Sequence, residues 1–161
     1  MTLPSSPERA ERERLTSRMD LRVRFFETDL MGIVHHANYL TYFEAGRVDW
    51  LHRRGISYEG WVKRGIHLPV VETRLRYRKA ARFDELLTVE TTRAEQTRVT
   101  VKFAYLILRG DERICEGETL LACVGAELAP KRVLVGDAGA LLYASDRSGL
   151  DIIGLGGYHD L

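Results

Sequence analysis

The chain has 161 residues, of which 45% are hydrophobic and 29% charged, the composition of one soluble globular domain. Its 24 Lys and Arg residues balance 23 Asp and Glu residues, so the net charge of +1 gives no general reason to expect nucleic acid or an anionic membrane as a partner. No apolar run approaches the roughly 20 residues that cross a bilayer, and the N-terminal segment lacks the apolar core of a signal peptide. These features predict a cytoplasmic protein.

The first third of the chain predicts an arm, a strand and a long helix. Residues 1–18 are polar and dense in charge, which is typical of a mobile N-terminal arm. Residues 21–26 alternate as a strand does, and Gly32 suits the turn that follows. In residues 37–54 apolar side chains recur at helical spacing over a wide face, and Gly55 suits the C-terminal cap of that helix.

Four more strands are predicted after the helix. Residues 70–78, 86–92, 98–108 and 113–128 show the alternation expected of strands. Their short connections favour antiparallel neighbours. A helix that is apolar over most of its circumference needs a broad cover, which a sheet provides. The sequence therefore predicts an α+β fold in which an antiparallel five-stranded sheet wraps around one long central helix.

Three further expectations concern the domain limits, the helix and the cysteines. Residues 19–130 form the folded domain, and the glycine-rich residues 131–161 form a C-terminal tail to which we assign no chemistry. Gly46 costs about 1 kcal/mol relative to alanine inside a helix, so it predicts close contact with the sheet. Cys115 and Cys123 are too far apart along one strand for a disulfide, which needs a Cα–Cα distance of about 5.5 Å, so both are expected to be reduced.

The turn before the helix carries the first candidate for chemistry, Asp29. The first N–H groups of a helix have no internal partner and can polarise a carbonyl oxygen. A carboxylate nearby could then attack that carbonyl or activate water. The structural alternative is an ordinary turn or N-cap aspartate.

Other constellations are weaker. His35 and His36 are adjacent and point in different directions, and no Cys or His pair has zinc-ligand spacing, so no metal site is expected. The basic residues Arg74, Arg76 and Arg78 share one face of a predicted strand. They could bind a phosphate-bearing ligand or RNA, or form a solvated face, and the neutral net charge disfavours RNA.

One motif spans the turn and most of the helix. It consists of Asp29, Gly32, His36, Asn38, Tyr39, Tyr42, Glu44, Ala45 and Arg47 at set spacing. It resembles the signature of hotdog-fold acyl-CoA thioesterases, in the branch named for 4-hydroxybenzoyl-CoA thioesterase. A second stretch, from Tyr77 to Asp84, resembles a strand and turn of the same family, with Ala80 where proline is usual.

The resemblance implies an acyl-CoA thioester hydrolase in which Asp29 acts as nucleophile or general base and the backbone N–H of His36 is an oxyanion donor. It also implies a set of substrate-binding residues: Gly32, Val34, His35, Asn38, Tyr39, Arg78, Lys79 and Arg82. No cofactor is implied, since CoA is part of the substrate. Such enzymes pair subunits to complete the site, so a homodimer or dimer of dimers is expected. The alternative function is a non-catalytic module that binds acyl-CoA or acyl-carrier protein.

Overall fold

The computed structural model describes residues 15–125 and the backbone of two short strands, Val133–Val135 and Leu141–Tyr143. Most of the predicted arm and most of the predicted tail lie outside the described residues. The two short strands of the tail pair with each other in antiparallel fashion.

The described elements follow one another as strands around two helices. In chain order they are β1 (Thr16–Arg22), a 3₁₀ turn (Phe25–Glu27), α1 (Asn38–His52), α2 (Tyr58–Lys63), β2 (Ile66–His67), β3 (Val70–Tyr77), β4 (Leu86–Gln96), β5 (Thr100–Arg109), β6 (Glu112–Ala122), β7 (Val124–Gly125), β8 (Val133–Val135) and β9 (Leu141–Tyr143). The five longest strands form one antiparallel sheet in the order β1-β4-β5-β6-β3. The predicted α+β fold with a five-stranded antiparallel sheet and one long helix is confirmed.

The first strand lies earlier than we predicted. Residues 21–26 were expected to form it, but β1 ends at Arg22 and the chain then makes the 3₁₀ turn. The prediction of an arm reaching residue 18 is likewise wrong for its last residues, which belong to β1. The reason is that β1 is an edge strand with one solvated face, where Ser17, Met19 and Leu21 point inward and polar residues outward. Its alternation is therefore too polar to stand out in the sequence.

Helix α1 supplies the centre of the core. Phe43 stacks on Tyr105 of β5 with ring centroids 4.3 Å apart, and Trp50 meets Phe103 edge-on at 5.2 Å. All four side chains are almost completely buried. The helix ends at His52, two residues before the predicted end, and Gly55 follows it with a φ of +70° and donates its N–H to the His52 carbonyl.

Gly46 lets the helix lie directly on the sheet. A Cβ atom built at this position would lie 2.4 Å from Oγ1 of Thr91 and 2.8 Å from Cγ1 of Val89, both on β4. Real Cβ atoms do not approach other atoms so closely. The predicted close contact between Gly46 and the sheet is confirmed.

A second, short helix was not predicted. In α2 the Ser57 hydroxyl accepts a hydrogen bond from the Gly60 N–H at 3.0 Å, an N-cap interaction. Cys115 and Cys123 are both buried free thiols, in agreement with the sequence. Within the part of the chain that the structure describes, neither helix has the length and apolar character that a membrane crossing requires.

Candidate active site

The turn that carries Asp29 is tightly hydrogen-bonded. The Gly32 N–H donates to the Asp29 carbonyl at 2.9 Å, and the Asp29 N–H donates to the Ile33 carbonyl at 2.9 Å. Gly32 has a φ of +70°, a conformation that residues with a Cβ atom rarely adopt. The Asp29 Oδ1 atom accepts the Met31 N–H at 2.8 Å, whereas Oδ2 has no protein partner among residues 15–125. One oxygen therefore orients the carboxylate and the other is left available.

The start of α1 leaves a backbone donor available. The N–H groups of Ala37 and Asn38 bind back to His35, on its Nδ1 atom at 3.3 Å and on its carbonyl at 2.9 Å. The N–H of His36 has no acceptor in the described part of the chain. An unpaired N–H at a helix start carries partial positive charge and suits an oxygen that gains negative charge.

One loop holds the Asp29 turn and the helix start together. The His35 N–H donates to the Glu27 carbonyl at 2.9 Å, and Thr28 pairs with Val34 as an antiparallel bridge. The segment between Thr28 and Val34 is thus a closed loop. Asp29 follows Thr28 directly, and His36 lies two residues after Val34. A half-buried carboxylate and an unpaired N–H on one loop are the two groups needed for attack on a polarised carbonyl.

Glu27, which directly precedes this loop, carries a buried carboxylate that the motif did not predict as part of the site. Only 1% of its surface is exposed. Its side chain accepts hydrogen bonds from the Arg24 backbone at 2.7 Å, from the Arg24 guanidinium and from the Tyr42 hydroxyl at 2.9 Å. Burial alone would raise the pKa of Glu27, but the hydrogen bonds from Arg24 and Tyr42 outweigh it and hold that pKa below its ordinary value. Burial and the neighbouring Glu27 also raise the pKa of the Tyr42 hydroxyl.

The position of Tyr42 in the predicted helix could have indicated a buried partner such as Glu27. Tyr42 is placed four residues into the helix, on its buried face, and carries a hydroxyl that needs a partner there. A carboxylate just before the predicted turn was one candidate partner.

The remaining predicted residues around the loop fall into two groups. His35 and His36 are exposed with their rings 4.1 Å apart, and Asn38 donates its side-chain N–H to the Glu27 carbonyl at 2.7 Å. Val34 and Tyr39 are each 3% exposed and belong to the core. Their predicted contact with substrate stays a prediction, and in this single chain their side chains face inward.

The three predicted basic residues differ in their partners. Arg78 forms an ion pair with Glu116 on β6, and Lys79 forms one with Glu112 on the same strand. Arg82 has no carboxylate partner among the described side chains, and its Nη1 lies 3.4 Å from the Gly32 carbonyl. The structure therefore brings Arg82 to the Asp29 turn and holds Arg78 and Lys79 against the sheet.

Tyr77 connects the end of β3 to the site. Its hydroxyl donates to the His36 carbonyl at 3.1 Å, and its ring lies 5.3 Å from that of Tyr39. Because Arg78 and Lys79 follow Tyr77 directly, they also come near the start of α1, although their charges are already paired.

A cavity lies outside this site, and the described residues form no cluster that could bind a metal. A cavity of about 330 Å³ opens elsewhere, between α1, α2 and the sheet, with Glu44, Val48, Tyr58 and Val70 in its lining. It does not include Asp29 or His36. In residues 15–125, no group of three or more His, Cys, Asp and Glu side chains could hold a metal ion. The expectation of no metal and no cofactor stays a prediction.

Large apolar side chains are exposed around the loop. Phe25 is 77% exposed, Leu30 fully exposed and Met31 71% exposed. Phe83, from the connection before β4, packs edge-on against Phe25 with ring centroids 5.7 Å apart. An apolar rim of this kind around a polar turn is typical of a ligand or protein contact.

Comparison with known proteins gives a consistent result. The family model described as the thioesterase superfamily matches residues 31–116. The acyl-CoA thioesterase YbgC of Haemophilus influenzae is 31% identical over 105 residues, which cover 65% of this chain and 77% of the relative. The solved DHNA-CoA thioesterase of Staphylococcus aureus is 32% identical with a TM-score of 0.67, covering 68% of this chain and 74% of that one.

A further solved structure is similar to this chain in fold. It is a 4-hydroxybenzoyl-CoA thioesterase variant in complex with 4-hydroxybenzoyl-CoA, 23% identical to this chain with a TM-score of 0.64. The alignment covers 69% of this chain and 85% of that one. At this identity the likeness concerns the fold, which agrees with the predicted hotdog architecture.

Proposed function

The chain belongs to the thioesterase superfamily, and from that premise we propose that it hydrolyses the thioester of an acyl-CoA to a free acid and CoA. The observation that carries the proposal is that the loop closed by the Thr28–Val34 bridge carries the Asp29 carboxylate and leads directly to the His36 N–H, which has no acceptor among the described residues. The YbgC relative is itself named an acyl-CoA thioesterase.

The thioester carbonyl oxygen would accept the His36 N–H, which makes the carbonyl carbon more electrophilic. The Asp29 Oδ2 atom would then attack that carbon or take a proton from an attacking water. Attack by Asp29 would break the carbon–sulfur bond and form an acyl–aspartyl anhydride, which water then hydrolyses to the free acid and the Asp29 carboxylate. Attack by water would break the same bond and give the acid directly. In both routes the sulfur leaves as the CoA thiol with a proton that comes from water. The hydrogen bond from the Met31 N–H to Oδ1 supports either role, because it orients the carboxylate and leaves Oδ2 without a partner among the described residues.

Arg82 is the residue that we expect to meet the CoA phosphates first. Its guanidinium lies beside the Asp29 turn without a carboxylate partner among the described residues. Arg78 and Lys79 would have to exchange Glu116 and Glu112 for phosphate. A phosphate that binds Arg82 gains charge-assisted hydrogen bonds without breaking an ion pair among the described residues.

We further propose that the active form is a homo-oligomer. Among the described strands β3 pairs only with β6, so its other edge is open, and an open edge strand is a template for pairing with another chain. Val70 at the start of β3 is 46% exposed beside the cavity on α1, and Leu40 on the same helix is 44% exposed. The apolar rim around Asp29 would also be covered by a neighbouring subunit or by the acyl group.

The test is thiol release from a panel of short-chain, long-chain and aromatic acyl-CoAs by the wild type and the Asp29→Asn variant. Asp49→Asn is the matched control, because Asp49 forms a surface ion pair with Arg53 on α1 away from the loop. We expect turnover of at least one class by the wild type and by Asp49→Asn, with a loss of about a thousandfold in Asp29→Asn. If none of the proteins releases thiol while all bind acyl-CoA, the non-catalytic binding module takes the place of the enzyme.

A further inference from the structure

We propose that Glu27 is the positioning residue of this site, which fixes the Asp29 carboxylate relative to the His36 N–H without touching the substrate. The inference rests on the proposed function, because it names what holds the two reacting groups in place. Four observations on Glu27, its neighbours and its chemical type support it.

The first observation is that both the backbone carbonyl and the side-chain carboxylate of Glu27 accept hydrogen bonds. Its carbonyl accepts the His35 N–H at 2.9 Å and the Asn38 side chain at 2.7 Å. Its carboxylate accepts the Tyr42 hydroxyl at 2.9 Å and the Arg24 backbone N–H at 2.7 Å. One residue therefore joins the 3₁₀ turn, the returning end of the loop and the first two turns of α1.

The second observation is the place of these contacts in the loop. Asp29 follows Glu27 by two residues, and His36 follows the residue whose N–H Glu27 binds. Glu27 is therefore linked directly to the segments that carry both reacting groups. The other contacts that hold these segments are single ones, namely the isolated Thr28–Val34 bridge, the Val34 N–H on the Ala81 carbonyl at 2.8 Å and the Tyr77 hydroxyl on the His36 carbonyl at 3.1 Å.

The third observation is burial. Glu27 is the charged residue among the largest fully buried side chains of the described chain, whereas its ion-pair partner Arg24 reaches solvent, with 59% of that side chain exposed. A buried carboxylate is retained at a cost in desolvation unless it is fully hydrogen-bonded. An apolar residue would fill the same space but would leave the Tyr42 hydroxyl and the Arg24 N–H without acceptors.

The fourth observation is the contrast with a second buried hydroxyl. Tyr105 on β5 donates to or accepts from Thr119 at 2.8 Å and accepts from Arg47 at 3.2 Å. It is 3% exposed, close to the 2% of Tyr42. Tyr105→Phe therefore removes the same chemical group as Tyr42→Phe from the same core but leaves the loop contacts intact, which makes it a matched control.

The experiment measures kcat, KM and amide hydrogen exchange in the wild type, Glu27→Gln, Tyr42→Phe and Tyr105→Phe. A misplacement of about 1 Å at reacting groups costs roughly a hundredfold in rate, so we expect kcat to fall about a hundredfold in Glu27→Gln and about tenfold in Tyr42→Phe. KM should stay within about twofold, because Glu27 touches no substrate. Tyr105→Phe should keep its kcat, and peptides that cover residues 28–36 should exchange faster only in the two loop variants.

These measurements decide whether Glu27 positions the reacting groups. If Tyr42→Phe and Glu27→Gln keep kcat and loop protection, or if Tyr105→Phe loses kcat equally, Glu27 has no positioning role. If Glu27→Gln does not fold, Tyr42→Phe alone gives the answer. If the wild type hydrolyses no acyl-CoA, the proposed function fails, and hydrogen exchange in residues 28–36 then decides separately whether Glu27 holds the loop.

Discussion

The contact between Gly46 and β4 leads to a prediction that can be worked out from distances. In Gly46→Ala the new Cβ would lie 2.4 Å from Thr91 Oγ1 and 2.8 Å from Val89 Cγ1, so the helix or the strand must shift. Overpacking of a core costs about 1–3 kcal/mol, and two contacts this short argue for the upper end. Alanine regains about 1 kcal/mol of helix propensity. The expected net loss in free energy of unfolding is therefore about 2 kcal/mol.

Chemical denaturation at one fixed protein concentration measures this loss, and the melting temperature should fall by roughly 4–8 °C for a chain of this length. Gly60→Ala in α2 is the control, since its new Cβ would lie 3.3 Å from the nearest atom and needs only a small adjustment. A Gly46→Ala protein at least as stable as the wild type would refute the reasoning.

A double-mutant cycle identifies the atom responsible. Thr91 Oγ1 is buried and has no hydrogen-bond partner among the described residues, so Thr91→Ala removes an unsatisfied hydroxyl and should cost little by itself. Combined with Gly46→Ala it should recover about 1 kcal/mol, a coupling typical of residues in contact. Additive effects of the two changes would mean that the strain lies elsewhere, against Val89.

Three other predictions concern charge, thiols and acid. Arg82→Ala should raise KM for acyl-CoA about tenfold with kcat unchanged, and Arg78→Ala should raise KM less. Steady-state kinetics of both variants at one salt concentration measures the difference. Burial raises the pKa of the Cys115 thiol to about 12, so a thiol reagent at pH 8 should modify Cys115 only after unfolding, as a denaturant series followed by mass spectrometry would show. Because the folded-state pKa of Glu27 is lowered, its contribution to stability is present above the ordinary carboxyl pKa and is lost as the pH falls through the folded value. Glu27→Gln should therefore lose less stability than the wild type as the pH falls below the ordinary carboxyl pKa.

Much of the fold could be predicted because the spacing of apolar residues agrees with the positions of the residues that end helices and form turns. The wide apolar face of α1 and the Gly55 cap define the helix, and the alternation in β4, β5 and β6 defines the centre of the sheet. Gly46 even indicated which part of the helix approaches the sheet. These features are local, so one sequence is enough to find them.

The errors occurred where tertiary contacts decide the structure. The first strand was misplaced because β1 is held by pairing with β4, while the more apolar Phe25 and Phe26 that follow it are exposed. The helix α2 was missed although Ser57 offered an N-cap signal. For the site, the motif indicated Asp29 and His36, but neither the ion pairs that occupy Arg78 and Lys79 nor the burial of Glu27 can be read from spacing.

The topology of the sheet has a consequence for the order in which the protein forms. Strands β4, β5 and β6 are consecutive hairpins, but β1 pairs with β4 across 76 positions of sequence between Thr16 and Thr92. Long-range pairing of this kind slows folding, since the closing loop must lose entropy first. On a ribosome that adds about 5–20 residues per second, β1 would wait several seconds for its partner strand. The loop that carries Asp29 follows β1 directly, and its Val34 N–H donates to the Ala81 carbonyl, so its contacts would be complete only when the segment before β4 has been synthesised.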